Sequence, residues 1–286
     1  MFSGCKFKPD SVKDEHVHDP EENECSSVTI TTNRNEDDRT LRPFAVPRLL
    51  VSVRSSAEAA TAIAGGADIL DVKEPERGSL GMADVGTIRE IAQSLRETDV
   101  DVPLSVALGE LSDWTDATDD ITLPQEVAFA KLGLSGMRDR HDWRGDWRRV
   151  RERINQSRGV PLRWVAVAYA DVEIAQAPLI DDVATAAIET GCAGLLIDTF
   201  AKTGRSLRDW VTASQLRQVS EQCHGSGLFL AIAGSLQLHD LRAFRGVNAD
   251  IIAIRSAACE NHDRKGGISA IKIAQFRDSI VRTSAP

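Results

Sequence analysis

Residues 48–72 read RLLVSVRSSAEAATAIAGGADILDV, two short apolar runs joined by a segment with helical spacing. The runs are rich in Val, Leu and Ile, a composition typical of parallel strands that are covered on both faces. A glycine pair precedes the second run, as is common at the end of a helix. The stretch therefore predicts a strand, a helix and a second strand. One face of that helix is predicted to consist of Ala57, Ala60, Ile63 and Ala64.

The same unit recurs along the chain as far as residue 255. A comparable helical pattern occupies 181–191, whereas the interval 108–124 is less regular and its helix is hard to place. Eight strands that alternate with helices over about 240 residues match an α/β fold of the (β/α)8, or TIM barrel, type. An open doubly wound sheet is the alternative, but no G-x-G-x-x-G pattern follows the first strand. The eight apolar runs are 48–53, 67–72, 102–107, 129–134, 163–169, 193–198, 228–233 and 250–255.

The composition of the chain excludes several classes of function. It has 286 residues, a formal net charge of −9 and 42% hydrophobic residues, which suits a globular protein with a substantial core. The acidic balance argues against binding to nucleic acid or to a membrane surface. No apolar run approaches the roughly 18 residues of a membrane span, and the first residues lack a signal-peptide core. Because the five cysteines are scattered like free thiols, we expect a cytoplasmic protein.

Residues 1–45 differ from the rest in being polar, acidic and poor in aromatic side chains. Such a composition cannot bury enough surface to offset chain entropy, so we expect a disordered tail followed by one catalytic domain over 46–286. His16, His18 and Cys25 could in principle hold a metal. A solvated tail is the favoured interpretation, because no ordered scaffold would position these side chains.

Charged residues stand at or near the C-terminal ends of the even-numbered strands. Barrel active sites lie at this end, and alternate strands contribute side chains to a common interior layer. Asp71 and Lys73 are two residues apart in an extended segment, so they point to the same side. Burying charge is costly unless it is paired or used, which favours one cavity over scattered surface charges. The converging set is Asp71, Lys73, Lys131, Asp198, Lys202 and Arg255.

The residue types in this set indicate carbonyl chemistry. A lysine in a cationic, partly desolvated pocket has a lowered pKa, and its neutral amine can form a Schiff base. A second lysine can shuttle protons, and a carboxylate can orient or activate it. Lys73, Lys131 and Asp198 therefore suit carbon–carbon bond chemistry on an aldehyde or a ketone. No histidine or cysteine stands at a predicted strand end, so we do not expect a metal site.

The last two loops of a barrel commonly hold phosphate. Here they read AGSL at 233–236 and IRSAAC at 254–259. The small residues could present backbone N–H groups to an anion, and the arginine could add a charged donor. A phosphorylated carbonyl substrate follows, although small residues here could also serve only to close turns. The candidate phosphate ligands are Gly234, Ser235, Arg255 and Ser256.

The order of the motifs resembles that of a known family. Residues 49–81, LLVSVRSSAEAATAIAGGADILDVKEPERGSLG, closely resemble the opening of (5-formylfuran-3-yl)methyl phosphate synthase, an enzyme of methanofuran biosynthesis. Within them, the D-x-K-x-P-x-x-G-S-L-G pattern is specific. The resemblance covers nearly all of 48–280 in order, whereas the tail has no counterpart. Further similar stretches are AKLGL around Lys131, VAVAYAD at 165–171, LLIDTFAKTG at 195–204, AGSL and IRSAAC.

The resemblance implies an enzyme that condenses two glyceraldehyde 3-phosphate molecules to the phosphorylated furan aldehyde, with loss of one phosphate and two waters. It implies that Lys73 forms the Schiff base and Lys131 accepts a proton, while Asp71, Asp198 and Lys202 line the site. We therefore expect a carbon–oxygen lyase that acts on a small phosphorylated aldehyde and uses no metal or organic cofactor. Assembly into a homo-oligomer through the outer helices is left open.

The chain departs from the family pattern at three places. The family usually has glycine at Ser256, a glycine pair at Asn261 and His262, and aspartate at Glu110. A lost glycine could narrow the approach of the backbone to phosphate, while the catalytic set stays intact. Two other functions remain open: a class I aldolase that acts on another sugar phosphate, and a non-catalytic barrel that binds a phosphorylated ligand.

Overall fold

Eight parallel strands dominate the computed structural model, which describes residues 46–98, 100–115 and 121–284. The predicted tail over 1–45 lies outside these residues. Each predicted apolar run overlaps one strand. The strands are β1 Arg48–Val53, β2 Ile69–Val72, β3 Leu104–Glu110, β4 Val127–Gly133, β5 Arg163–Tyr169, β6 Gly194–Asp198, β7 Phe229–Ile232 and β8 Ile251–Ile254.

The sheet closes on itself, because β1 pairs with β8 as well as with β2. The strands follow one another around the barrel in chain order. The predicted TIM barrel is therefore confirmed, and the open doubly wound sheet is wrong. The third strand runs three residues past the predicted run, to Glu110, which puts this residue at a strand end facing the β4–β5 side of the barrel mouth.

Helices lie between successive strands and cover the outside of the barrel. In the described ranges, none is long and apolar enough to cross a membrane. The irregular interval after β3 contains only one short helix, and residues 116–120 lie outside the description. The helices are α1 Ser56–Ala64, α2 Val85–Glu97, α3 Ser112–Thr115, α4 Trp143–Gln156, α5 Val172–Ala175, α6 Ile180–Glu189, α7 Ala213–Gly225 and α8 Ala270–Ser284.

Helix α1 forms where it was predicted but turns a different face to the barrel. It begins after Ser55, whose hydroxyl accepts a hydrogen bond from the Glu58 N–H (3.2 Å). Its buried residues are Ala59 and Ala62. Alanine occupies every side of this helix, so no contrast in polarity marks the buried face. The predicted face was wrong, and its exposed members are Ala57, Ala60 and Ala64.

Apolar side chains fill the lower part of the barrel interior and leave its C-terminal mouth to polar ones. The rings of Phe129 and Phe229 meet edge to face, with centroids 5.9 Å apart. Gly194 makes room for the Phe229 ring, since a Cβ at this position would lie 2.4 Å from it. Nearer the mouth, neighbouring strands place Ser52 beside Asp71. The charged side chains thus form a layer at the C-terminal mouth of the barrel, directly above the apolar side chains of the interior.

Candidate active site

A cavity of about 500 Å³ opens at the C-terminal mouth of the barrel. Its wall includes every residue that the sequence singled out as catalytic or phosphate-binding. Residues from strands β2, β4, β6 and β8 and from the loops after β6 and β7 therefore meet in one place, as the even-strand pattern predicted. The predicted residues in this wall are Asp71, Lys73, Lys131, Asp198, Lys202, Gly234, Ser235, Arg255 and Ser256.

Lys73 follows the last residue of β2 and is buried, with 8% of its surface exposed. Its Nζ donates a long hydrogen bond to the Ser79 carbonyl oxygen (3.4 Å). Burial lowers the pKa of Lys73 to about 8, although the carboxylates of Asp198 and Asp71 oppose the shift. Neighbouring cations add to the lowering. About a tenth of this amine is therefore unprotonated at pH 7, far more than for an ordinary lysine.

Asp71 and Lys131 form a buried ion pair beside Lys73. The Lys131 Nζ donates to Asp71 Oδ1 over 2.5 Å, and both side chains are less than 5% exposed. The Ser52 hydroxyl donates to the other carboxylate oxygen (3.3 Å). A short, charge-assisted bond of this kind provides a route for a proton between the two groups.

Asp198 and Lys202 form the second ion pair, from the end of β6 and its loop. The Lys202 Nζ donates to Asp198 Oδ1 (3.1 Å) and to the Thr199 carbonyl oxygen (2.5 Å). Burial alone would raise the pKa of Asp198, but the ammonium groups of Lys202 and Lys73 hold it below its usual range. Lys73 thus stands between two carboxylates, each of which already has a lysine partner.

The loop after β6 is held by two side chains that sequence reasoning missed. Asp171, just after the end of β5, accepts hydrogen bonds from the Phe200 and Ala201 N–H groups (2.7 Å each) and is almost fully buried. The Ser79 hydroxyl donates to the Thr199 carbonyl oxygen (2.9 Å) from the other side. These bonds fix the segment that carries Lys202.

The loop after β7 has the backbone geometry of an anion site. Gly234 and Ser235 both adopt left-handed φ values, 103° and 51°. A Cβ at Gly234 would lie 2.9 Å from the Thr199 methyl group, so this position requires glycine. The N–H groups of Gly234 and Ser235 make no hydrogen bond within the described part of the chain, and both residues line the cavity.

Arg255 lines the cavity but is fully engaged by the protein. Its guanidinium donates to both carboxylate oxygens of Glu58 and to the carbonyl oxygen of Ser52. It also donates to the carbonyl oxygens of Arg264 (2.8 Å) and Gly266 (2.9 Å). All five N–H groups are therefore used. This geometry argues against the prediction that Arg255 binds phosphate, because no donor is left over.

The eighth loop keeps a glycine-like backbone at the two residues that replace the family's glycine pair. Asn261 and His262 have φ values of 53° and 58°, in the left-handed region. Asparagine and histidine are both among the non-glycine residues that adopt this conformation most often. The loop then returns to the mouth of the barrel with Arg264, which lines the cavity although sequence reasoning did not include it.

A family model for 4-HFC-P synthase matches residues 49–277, which contain all of these groups.

The chain belongs to the 4-HFC-P synthase family.

Several proteins similar to this chain share one name. The (5-formylfuran-3-yl)methyl phosphate synthase of Methanopyrus kandleri is 35% identical over 224 residues, covering 77% of this chain and 93% of that protein. The protein of the same name from Methanocaldococcus jannaschii is 32% identical over 228 residues, covering 77% and 93%. A putative (5-formylfuran-3-yl)methyl phosphate synthase of Methylorubrum extorquens is 31% identical over 230 residues, covering 80% and 89%. The resemblance noted in the sequence is thereby confirmed.

Similarity to solved structures supports the barrel fold of this protein but not its function. KGPDC from Streptococcus mutans has a TM-score of 0.52 and 14% identity, covering 82% of this chain and 98% of that chain. Thiamine phosphate pyrophosphorylase from Pyrococcus furiosus has a TM-score of 0.50 and 14% identity, covering 84% and 97%. At this identity, the likeness concerns barrel architecture alone.

Glu110, one of the positions where the sequence departs from the pattern it resembles, links strands β3 and β5 at the mouth of the barrel. Its carboxylate accepts hydrogen bonds from the Tyr169 hydroxyl (2.6 Å) and the Ser135 N–H (2.9 Å). Burial raises the pKa of Glu110, against the effect of these two bonds. Gly133 leaves the space that the longer side chain needs, since a Cβ there would collide with the carboxylate. The Tyr169 ring in turn packs edge to face on Phe200 of the sixth loop.

Of the three site residues that sequence reasoning missed, one lies outside the even-strand pattern and two lie in loops that follow even strands. Asp171 follows an odd strand, and Ser79 appeared only within a motif that was quoted for its resemblance. Arg264 stands in a polar segment, 260–267, where nothing distinguishes one charge from the next. Among the described residues, no three His, Cys, Asp or Glu side chains gather where they could hold a metal ion.

Proposed function

We propose that this protein condenses two glyceraldehyde 3-phosphate molecules to (5-formylfuran-3-yl)methyl phosphate through a Schiff base on Lys73. The observation that carries the proposal is the state of Lys73: a buried amine with a pKa of about 8, flanked by two carboxylates that are each paired with another lysine. An amine in that state is a nucleophile for a carbonyl carbon. The names of the relatives favour this product among the possible ones.

The first step joins the Lys73 nitrogen to the aldehyde carbon of one substrate. Expulsion of the carbonyl oxygen as water leaves an imine. As a cationic electron sink, the protonated imine makes the neighbouring carbon acidic, and loss of its proton gives an enamine. Lys131 can take this proton once its own has passed to Asp71 across their 2.5 Å hydrogen bond. Asp198 lies close enough to stabilise the cationic imine by its charge.

The enamine expels the phosphate of its own third carbon, which leaves that carbon as the nucleophilic end of an enol conjugated with the imine. This carbon attacks the carbonyl carbon of the second substrate, whose carbonyl group has first moved to its middle carbon by proton transfer. The free terminal hydroxyl of the second substrate closes the ring on the middle carbon of the first, two waters leave as the ring becomes aromatic, and hydrolysis of the imine frees Lys73 together with the aldehyde. Summed over the cycle, two substrates lose one phosphate and two waters and give the phosphorylated furan aldehyde. The sum balances without an oxidant or a reductant. The reaction is that of a carbon–oxygen lyase, and its product would enter synthesis of a methanofuran-type cofactor.

The test compares wild type with Lys73→Ala and with Lys272→Ala, a matched lysine on helix α8 that does not line the cavity. Glyceraldehyde 3-phosphate should yield inorganic phosphate and a furan that absorbs in the near ultraviolet with wild type and Lys272→Ala, but not with Lys73→Ala. Borohydride added during turnover should leave a reduced adduct, located on Lys73 by peptide mass spectrometry. Full activity in Lys73→Ala would refute the mechanism.

Product analysis separates the proposal from the other two functions. A class I aldolase would give the borohydride adduct and a new sugar phosphate, without release of phosphate and without a furan. A non-catalytic barrel would bind the phosphorylated aldehyde in calorimetry and give neither turnover nor adduct.

A further inference from the structure

Two cationic side chains in the cavity wall form no ion pair with a carboxylate of residues 46–98, 100–115 or 121–284. Six lysines and arginines line the cavity, and within the described residues four of them form a salt bridge. Lys73 and Arg264 form none. For Lys73, the reason is its role as nucleophile. The four paired cations are Lys131 with Asp71, Lys202 with Asp198, Arg208 with Asp240 and Arg255 with Glu58.

The guanidinium of Arg264 is almost unused by the protein. In the described part of the chain it makes one hydrogen bond, from Nη2 to the Gly78 carbonyl oxygen (2.9 Å). Arg255 nearby makes five. Burial lowers the pKa of Arg264, and the carboxylate of Asp198 partly opposes this. A half-buried cation with free donors beside a cavity is costly when the cavity is empty, and an anionic ligand would remove that cost.

Arg255 explains how Arg264 is held at the mouth. It donates from Nε to the carbonyl oxygen of Arg264 itself (2.8 Å) and from Nη2 to that of Gly266 (2.9 Å), while Glu58 and Ser52 anchor its other donors to helix α1 and strand β1. The predicted phosphate arginine thus fixes the backbone of the loop from which Arg264 reaches the cavity.

We propose that Arg264 binds the phosphate group of the substrate whose carbonyl carbon Lys73 attacks, and that Arg255 is a positioning residue that holds the Arg264 loop. The proposal rests on the proposed function for the identity of the substrate. Arginine suits the task, because its planar fork matches two phosphate oxygens at once. Arg264 and Lys73 line the same cavity of about 500 Å³, so one small molecule can contact both. The free N–H groups of Gly234 and Ser235 line the same cavity and would share the anion.

The first experiment measures binding of inorganic phosphate by calorimetry to wild type, Arg264→Gln, Arg264→Lys and Arg208→Gln. Arg208 is the matched control, since it lines the same cavity but is paired with Asp240. We expect Arg264→Gln to weaken phosphate binding about tenfold or more, Arg264→Lys to weaken it less, and Arg208→Gln to leave it within about twofold. An equal loss in Arg208→Gln and Arg264→Gln would overturn the proposal, as would unchanged binding in Arg264→Gln. Because no turnover is needed, the result does not depend on the proposed reaction.

The second experiment measures borohydride trapping of Lys73 with glyceraldehyde 3-phosphate and with glyceraldehyde, which lacks the phosphate. In Arg264→Gln, the concentration for half-maximal trapping should rise about tenfold for the phosphorylated aldehyde and change little for the other. Arg255→Lys should show the same selective loss in weaker form. An equal loss with both aldehydes in Arg264→Gln would mean that Arg264 has only a structural role. Absence of any adduct in wild type would instead count against the Schiff base.

Discussion

Lys73 differs from the other two lysines of the cavity in what its removal would leave behind. Without Lys131, the one hydrogen bond that the buried carboxylate of Asp71 keeps from a described side chain is that from Ser52 (3.3 Å). Without Lys73, both neighbouring carboxylates keep a lysine partner at 2.5 Å or 3.1 Å. Removing one member of a buried pair is destabilising, whereas removing a surplus buried cation is not. The lysine that we propose as the nucleophile is therefore the one that the fold can lose most easily.

We predict that Lys73→Met abolishes activity and stabilises the fold, by about 1–3 kcal/mol at pH 7. The folded-state pKa of about 8 lies below the ordinary lysine value of 10.5, so protonation opposes folding. The gain should be complete below pH 8 and should fade as the pH rises toward 10.5. Denaturant melts of wild type and variant at several pH values measure it.

The comparison variant is Lys131→Met, which should lower the free energy of unfolding by about 3–5 kcal/mol, because Asp71 loses its partner. If Lys73→Met is destabilised as much as Lys131→Met, the cation at Lys73 is not surplus and the account of its low pKa is wrong.

For individual residues, the sequence predicts which side chains line the cavity but not which of them form hydrogen bonds or ion pairs with one another. The charged ends of even strands are visible because Asp71, Lys131 and Asp198 interrupt apolar runs. Nothing in the sequence shows that Arg255 forms an ion pair with Glu58 while Arg264 forms none among the described residues, since both lie in or near one loop. The difference arises from the tertiary structure, because the start of helix α1 packs beside the end of β8.

Among the elements, strands are far easier to predict than helix faces. A buried parallel strand is marked by a continuous apolar run, and all eight were found. The alanine-rich helix α1 buries Ala59 and Ala62, although its sequence is equally compatible with burial of another face. Loops are harder still: the sixth loop owes its shape to Asp171, a residue that belongs to another strand end.

We predict that Asp171→Asn lowers kcat/KM about tenfold or more, because an amide cannot accept hydrogen bonds from both Phe200 and Ala201 on its two ends. Lys202 would then lose its place beside Asp198. The exposed Asp182→Asn on helix α6 is the control and should change little, since its pair with Arg144 is at the surface.

A double-mutant cycle checks that Asp171 acts through the loop. If it does, Asp171→Asn should cost much less activity in a Lys202→Met background than in wild type. Equal costs in the two backgrounds would mean that Asp171 and Lys202 are independent.

For the whole molecule, closure of the barrel is what makes the site. The pairing of β8 with β1 brings Arg255 next to Ser52 and Glu58, about 200 residues earlier in the chain. The sequence signals closure only through the number of repeats, eight, and no single stretch encodes it. The residues that build the cavity run from Leu50 to Arg264, within the 49–277 that the family model matches.

The bounds of the cavity and of the family match also predict how much of the chain the activity needs. The Methanopyrus relative is covered to 93% of its length by a match that takes up only 77% of this chain, so most of the remainder here has no counterpart there. We predict that a variant lacking residues 1–45 retains kcat/KM within about twofold and the same melting temperature, because each barrel strand starts at or after Arg48. Steady-state assays and thermal melts of the purified proteins measure both quantities. A large drop in activity at an unchanged melting temperature would assign the acidic segment a part in the reaction, and a drop in both would move the domain boundary upstream of residue 46.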